Sequence, residues 1–155
     1  MYLKKLKIVN WQCIEYTKLD FENLMLFIGP ANNGKSSIMS SIMFFLGYRN
    51  LRTKDIRNQN IPLELEGSFS NFSRKTFKEL NNYIYNKELK IRIIKYPNRE
   101  TQYKIGKNRE WSEIDYETYI NIVSNIPILF IPPFAEQEQA EHFITSFLNI
   151  LKKRN

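Results

Sequence analysis

The stretch GPANNGKSS, at residues 29–37, is the most informative segment of this sequence. It fits the pattern G-x-x-x-x-G-K-[ST] without a gap, through Gly29, Gly34, Lys35 and Ser36. Glycines let the main chain approach a phosphate closely, and the N–H groups of such a loop point inward at anionic oxygens. A helix that begins at the lysine adds its positive dipole end to the same place. The stretch therefore predicts a phosphate-binding loop, or P-loop.

Each polar residue of this loop has an expected role. Lys35 is expected to reach the β- and γ-phosphates of a nucleotide, and the Ser36 hydroxyl is expected to ligate Mg²⁺. Asn32 and Asn33 suit a loop with left-handed backbone angles, which asparagine tolerates better than most residues. The predicted ligand is ATP with Mg²⁺. The predicted phosphate-binding residues are Gly29, Asn32, Asn33, Gly34, Lys35, Ser36 and Ser37.

The flanks of the loop match what a P-loop requires, which is a buried strand before it and a helix after it. Residues 24–28 (LMLFI) are a short apolar run, so we predict a central strand covered on both faces. After the loop, apolar residues recur at helical spacing, and Gly47 stands where a C-cap glycine belongs. We therefore predict a helix over residues 35–46. The alternative is a chance match in an ordinary glycine-rich turn.

The rest of the chain mixes short strands and helices without an internal repeat. Strands are predicted from alternation, from buried apolar runs and from the turn residues PNRE at 97–100. They are 3–9, 14–21, 61–69, 89–96, 101–105 and 127–131. Helical spacing predicts the helices 73–86, 112–124 with Ser112 as its N-cap, and 136–153. Residues 47–60 are expected to form a loop or a short irregular helix. This order indicates an α/β fold of the P-loop NTPase type, with a mixed sheet and an antiparallel part.

Composition bounds the class of protein. The chain has 155 residues, 43% of them hydrophobic, which suits one domain with a real core, so residues 1–155 are taken as a single lobe. The sequence has no apolar run of membrane-span length and no apolar signal-peptide region, which indicates a cytoplasmic protein without a membrane partner. The one cysteine, Cys13, lies in an apolar stretch and is expected to be a small packing residue. The one histidine, His142, lacks Cys or His partners, so no zinc site is predicted.

The net charge of +7 points to a phosphate-rich partner, either a nucleotide or a nucleic acid. The alternative is ordinary solvated surface, because charge alone carries little specificity. The basic cluster just after the predicted P-loop helix is the best placed to reach a ligand. Its members are Arg49, Arg52, Lys54 and Arg57.

The sequence lacks recognisable groups for nucleotide hydrolysis. In a P-loop ATPase, Mg²⁺ is usually also held by an acid at the end of a second strand. The best candidate strand runs into Pro132 and Pro133, and none of the five glycines lies in a pattern like L-S-G-G-Q. We therefore expect the chain to bind a nucleotide without hydrolysing it by itself.

The first 47 residues resemble the N-terminus of the ABC-type ATPases of DNA maintenance and phage defence. These are AAA-type P-loop proteins of the structural-maintenance-of-chromosomes (SMC) and RecF-like groups, and especially of the OLD (overcoming lysogenization defect) family. Their pattern is a strand, N-F-[RK], a strand, an apolar strand, G-x-N-x-x-G-K-S-S and a helix ending in L-G. Here Asn10-Trp11 stands for N-F, and Leu46-Gly47 ends the helix. Gln12 departs from the pattern where the family often has Arg or Lys, and Ala31 departs where Asn is common.

The resemblance implies an ATPase head that is split in sequence. In such proteins an N-terminal lobe carries the P-loop and a glutamine loop, and a C-terminal lobe carries the remaining motifs. This chain resembles the N-terminal lobe, with Gln137 as the candidate second Mg²⁺ contact; the alternative is that Gln137 faces solvent at the start of a helix. The implied partners are a C-terminal lobe or partner chain, a second head in a head-to-head dimer, and DNA.

Two functions of other classes stay open at this point. A self-sufficient small P-loop kinase or GTPase would need its own metal-holding acid. A non-catalytic interaction module with a vestigial nucleotide pocket would instead capture a partner through its basic surface.

Overall fold

An antiparallel sheet organises the chain. The computed structural model describes residues 1–22, 25–107 and 110–126. The strands are β1 (Tyr2–Trp11), β2 (Ile14–Asp20), β3 (Leu63–Ser70), β4 (Leu89–Lys95), β5 (Thr101–Lys107) and β6 (Glu110–Ile114). The helices are α1 (Lys35–Phe45), α2 (Arg74–Leu80) and α3 (Tyr116–Val123), and a 3₁₀ turn spans Thr53–Asp55. The strand order is β2-β1-β3-β4-β5-β6, and each neighbouring pair is antiparallel.

The two faces of the sheet differ because successive side chains of a strand point in opposite directions. In β3, Leu63 and Leu65 are fully buried, whereas Glu64 and Glu66 on the opposite face are half-buried. The same alternation continues across β1 and β4. One face of the sheet therefore builds the hydrophobic core, and the opposite face, called here the outer face, carries charged side chains.

Helices α1 and α3 contribute large side chains to the core. Phe45 of α1 is fully buried and stacks on Phe69 of β3, with ring centroids 5.9 Å apart. Gly67 leaves room for this ring, since a Cβ at that position would lie 2.4 Å from Cε1 of Phe45. The close approach of the α1 ring to the sheet backbone fixes where the helix sits, and with it the loop that precedes the helix.

The C-terminal end of α1 is held by a tyrosine from α3. The Tyr119 hydroxyl lies 2.9 Å from the carbonyl oxygen of Phe45 and 3.2 Å from that of Phe44. The last carbonyls of a helix have no partner within the helix, and a buried one needs a donor from elsewhere. Burial of Tyr119 also raises the pKa of its hydroxyl, so this group stays protonated and able to donate.

The structure confirms the predicted α/β fold class and most of the predicted elements. Strands 3–9, 14–21, 61–69, 89–96 and 101–105 and helix 35–46 are present within a residue or two of their expected bounds. Gly47 has a φ of +78°, as a C-cap glycine should. Residues 47–60 form a loop with one short 3₁₀ turn, in agreement with the expected loop or short irregular helix. The predicted strand 127–131 and helix 136–153 lie outside the described residues.

Three predictions of elements were wrong. Among the described residues, 25–28 belong to no strand, and Leu26 and Ile28 are exposed. A central strand needs a partner on each side, and none of the described pairings includes this segment. The helix predicted at 73–86 ends at Leu80, and Asn86 and Lys87, with φ of +49° and +62°, later make a turn that leads into β4.

The third wrong element is the helix predicted at 112–124. Ser112 lies inside β6, paired with Ile105, and Asp115 is the residue that caps the helix. The Asp115 carboxylate accepts a hydrogen bond of 2.7 Å from the Thr118 N–H. Both Ser and Asp are good N-caps, so the sequence offered two helix starts. Pairing of residues 110–114 with β5 decided between them.

Candidate nucleotide-binding site

The segment 29–37 forms a loop that ends in the first turn of α1. Gly34 is the N-cap, with φ of +81°, and the helix begins at Lys35 as expected. Asn32 also has a left-handed backbone, with φ of +65°, as the sequence indicated, whereas Asn33 does not. Within the described part of the chain, no side chain caps α1 and no acid lies in its first turn. The first N–H groups of the helix and its positive dipole end are therefore available to an anion.

The side chains of the loop divide into exposed and buried ones. The Lys35 ammonium donates to the carbonyl oxygens of Gly29, at 2.7 Å, and Pro30, at 2.6 Å, so it lies across its own loop. The Ser36 side chain is exposed, whereas Ser37 is buried. Ser36 is thus placed to meet a ligand or metal from solvent, and Ser37 faces the body of the protein. The roles of these residues in binding stay predictions.

Cys13 lies beside the loop, which the sequence did not indicate. Its thiol is exposed rather than packed among apolar groups, and it donates to the Ser37 hydroxyl at 3.3 Å. A Cβ on Gly34 would lie 3.2 Å from the Cys13 sulfur. Glycine at position 34 is therefore required both by its backbone angle and by this close neighbour.

The Asn10-Trp11-Gln12 segment connects β1 to the P-loop helix and to the loop after it. The Trp11 indole N–H donates to the Ser40 hydroxyl of α1 at 3.1 Å. The buried Asn10 amide donates to the carbonyl oxygens of Asn58 and Ile61, each at 2.9 Å. Asn10 thus has a structural role, because it holds residues 57–62 against the end of β1.

Asp55 gathers the polar groups around this segment. It is fully buried and accepts from the Gln12 amide at 2.8 Å, from the Arg49 guanidinium at 2.5 Å and from the Arg52 backbone N–H at 2.9 Å. Burial acts to raise the pKa of Asp55, but the hydrogen bonds from these three donors outweigh it and hold the pKa below its ordinary value. The carboxylate therefore stays ionised and orients Gln12 and Arg49.

The basic cluster predicted to contact phosphates is only partly free to do so. Arg49 forms an ion pair with Asp55 and lies over the Trp11 ring, at 5.5 Å from its centroid. Arg52 is exposed, 3.7 Å from the same carboxylate. Lys54 is exposed, and Arg57 lies 3.5 Å from Glu15 in an exposed pair. Gln137 lies outside the described residues, so its role also stays a prediction.

The segment that leads into the loop exposes apolar side chains. Leu26 is 76% exposed and Ile28 is 84% exposed, whereas Met25 and Phe27, on the alternate positions, are half-buried. Side chains alternate in this way along an extended backbone that is covered on one side only. The segment therefore has one face on the protein and one apolar face in solvent, directly before Gly29.

Comparison with known proteins gives a family and a fold. The family model described as "AAA ATPase domain" matches residues 1–152. The search of curated proteins gave no match. None of the helices in residues 1–22, 25–107 and 110–126 has the length and apolar character of a membrane span.

Solved structures of SMC proteins share the fold. One comes from a study of ATP-driven dimerization and DNA-stimulated activation of SMC ATPases, with a TM-score of 0.62, 21% identity, and coverage of 80% of this chain and 78% of that one. A second is an SMC head bound to the C-winged helix domain of ScpA, with a TM-score of 0.58, 21% identity, and coverage of 80% and 40%. A third is the Pyrococcus furiosus SMC head with an extended coiled coil, bound to the C-terminal domain of ScpA, with a TM-score of 0.60, 19% identity, and coverage of 79% and 32%.

This chain therefore spans less than half the length of the second and third of these structures. At such identities the likeness shows the fold, whereas the family model covers nearly the whole sequence. The chain belongs to the AAA ATPase domain family and has the fold of an ABC-type ATPase lobe.

Proposed function

We propose that this chain is the ATP- and Mg²⁺-binding N-terminal lobe of an ABC-type ATPase related to the OLD, RecF and SMC proteins. The observation that carries the proposal is the geometry of the loop at 29–37. Gly34 caps α1 in a left-handed conformation, the helix begins at Lys35, and Ser36 faces solvent. Backbone donors, a helix dipole, an ammonium group and a hydroxyl thus lie along one short segment, which suits a triphosphate with its metal.

The lobe is proposed to need a second lobe for hydrolysis. Leu26 and Ile28 expose large apolar side chains just before the loop, and exposed apolar surface of this kind often marks an interaction site. A C-terminal lobe, from a continuing or separate chain, would cover this face and supply the acid that activates water. On this proposal, the 155-residue chain by itself binds the nucleotide with little or no turnover.

Binding of ATP with Mg²⁺ to the purified chain tests the proposal, with isothermal titration or a fluorescent analogue as the measurement. Lys35→Ala removes the ammonium, and the loss of a charge-assisted contact predicts a fall in affinity of about 10- to 100-fold. Lys78→Ala is the matched control, since Lys78 is an exposed lysine of α2 that lies outside the loop and outside the basic cluster. Equal affinity of wild type and Lys35→Ala would sink the proposal.

Turnover distinguishes the proposed lobe from a self-sufficient enzyme. Robust steady-state hydrolysis or phosphoryl transfer by the chain alone, lost in Lys35→Ala, would favour a small kinase or GTPase instead. We expect hydrolysis only after a C-terminal lobe is added.

Dimer formation and DNA binding form the finer part of the proposal. One similar structure comes from work on SMC ATPases that dimerise with ATP and respond to DNA. For this chain, the exposed cations Arg52, Lys54 and Arg57 follow the P-loop helix and could meet a phosphate backbone. Sedimentation with and without ATP, in the presence of the C-terminal lobe, measures the expected dimer. A role in DNA repair or phage defence would follow only from such a DNA-dependent activity.

A further inference from the structure

The outer face of the sheet carries a depression lined by lysines, separate from the P-loop. It has a volume of about 730 Å³ and lies over β1, β2, β3 and the start of β4. The lysines that line it are Lys4, Lys5, Lys7, Lys18 and Lys90, and the acids are Asp20, Glu66 and Glu88. Because lysines outnumber acids, the depression has an excess of positive charge and attracts anions.

Ser68 stands in the wall of this depression with an unused hydroxyl. The residue is only 7% exposed, and its Oγ has no hydrogen-bond partner among the residues that the structure describes. Buried polar groups are normally hydrogen-bonded, so each exception needs an explanation. A hydroxyl that borders a cationic depression is explained if an anion accepts its hydrogen bond.

The register of the sheet puts two lysines on either side of Ser68. Lys5 of β1 and Lys90 of β4 are its direct cross-strand partners, and all three side chains are on the outer face. Side chains paired in this way have Cβ atoms about 5 Å apart. Two lysines and one hydroxyl from three neighbouring strands thus border the same part of the depression, and all three side chains can donate hydrogen bonds to an oxyanion.

The acids of the depression do not neutralise the lysines beside Ser68. The Lys5–Asp20 pair, at 2.8 Å, is exposed on both sides, and such pairs exchange partners at little cost. Glu88 is paired with Lys4 at 2.8 Å. In the part of the chain that the structure describes, Lys90 has no acid within 4 Å. Its charge is therefore available to a ligand.

We propose that Lys5, Ser68 and Lys90 form a second phosphate-binding site, on the outer face of the sheet. The ligand is a phosphate group, either free or carried on a nucleic-acid backbone. Its three side chains lie on the outer face, whereas α1 packs Phe45 on the core face, so we expect phosphate to bind there without ATP.

Titration of the 155-residue chain with inorganic phosphate tests the site, followed by amide ¹H–¹⁵N chemical shifts. The titration is done in the Lys35→Ala variant, in which phosphate is expected to bind the P-loop more weakly, so that shifts at residues 29–37 can be separated from those at the outer face. We expect saturable shifts centred on Lys5, Ser68 and Lys90. Shifts that are small and linear with concentration across the whole surface would overturn the proposal.

Substitutions identify the groups that bind. Lys90→Gln should weaken phosphate binding about tenfold or more, because a charge-assisted contact is lost, and Ser68→Ala about fivefold. Lys104→Gln is the matched control, since it removes a lysine of the same face that lies outside the depression. An equal loss in Lys104→Gln and Lys90→Gln would show a diffuse charge effect and refute the site.

A short single-stranded oligonucleotide distinguishes the two sources of phosphate. Tighter binding than inorganic phosphate, with the same dependence on Ser68 and Lys90, assigns the site to a nucleic-acid backbone. Binding of inorganic phosphate alone assigns it to a small phosphate. Binding of neither ligand, in a variant whose spectrum shows an intact fold, contradicts the proposal.

Discussion

Replacing Gly67 with alanine should shift the P-loop helix off the sheet. A Cβ at position 67 would lie 2.4 Å from Cε1 and 2.5 Å from Cζ of Phe45, and both distances are far below van der Waals contact. Phe45 cannot swing aside freely, because it is fully buried and stacked on Phe69. The clash must therefore be relieved by moving α1 or by bending β3.

Two opposing terms set the size of the effect. Forcing an extra carbon into a well-packed core costs about 1–3 kcal/mol. Alanine offsets roughly 0.5–1 kcal/mol of this, because glycine loses more backbone entropy on folding. The net loss in the free energy of unfolding is about 1–2 kcal/mol. For a domain of this size that lowers Tm by roughly 2–8 °C.

Thermal and urea unfolding of Gly67→Ala measure the loss, with Gly106→Ala as the matched control. A Cβ on Gly106 meets Trp111 at 3.1 Å, but that ring is half-buried on the outer face and can move. We expect Gly106→Ala to lower the free energy of unfolding by less than half as much as Gly67→Ala. In a Phe45→Leu background, Gly67→Ala should cost about 1 kcal/mol less than in the wild type. A Gly67→Ala protein as stable as the wild type, or a cost unchanged by Phe45→Leu, would refute the reasoning.

Two further predictions concern the neighbours of the P-loop. Asp55→Asn should lower the free energy of unfolding by about 3 kcal/mol, since it leaves the Arg49 guanidinium without its counter-charge. The pKa of Asp55 is held below its ordinary value in the fold, so its contribution is present above about pH 4 and is lost as the pH falls through the folded pKa. The free energy of unfolding, measured with urea, should therefore change less between pH 6 and pH 3 in Asp55→Asn than in the wild type. An equal change in both proteins would contradict this. Gly34→Ala should lower the free energy of unfolding by about 1–2 kcal/mol and weaken ATP binding, because a φ of +81° is unfavourable for alanine. Adding Cys13→Ala should restore only the part of this stability that is lost to the 3.2 Å contact with the Cys13 sulfur. Full restoration would show that the backbone angle is not strained.

Local patterns predicted the elements of this fold well where a segment's own residues decide its structure. The alternation in β3 and the spacing in α1 each reflect burial of one face, and the sheet and helix follow directly. The conformation of the loop at 29–37 was likewise predictable, because a left-handed N-cap glycine has a simple steric cause. These features depend on nearest neighbours in the sequence.

Features that depend on distant residues were missed. Residues 25–28 have the composition of a buried strand, but composition does not say whether neighbouring strands are present to pair with them. The engagement of Arg49 by Asp55 was also hidden, because an arginine in a loop reads equally well as a ligand contact or as half of a buried ion pair. Cys13 looked like a packing residue, yet the turn after β1 places its thiol at the P-loop.

The tyrosine that caps α1 has a consequence for how the protein is made. The hydroxyl of Tyr119 reaches carbonyl oxygens about 75 positions earlier in the chain. On the ribosome, the loop at 29–37 emerges long before either Gly67 or Tyr119 can support the helix behind it. Long-range contacts of this kind form late, because the intervening chain must first be ordered. The nascent protein therefore carries the loop at 29–37 well before the contacts that hold α1 can form, and the contacts of Tyr119 form only once α3 has emerged.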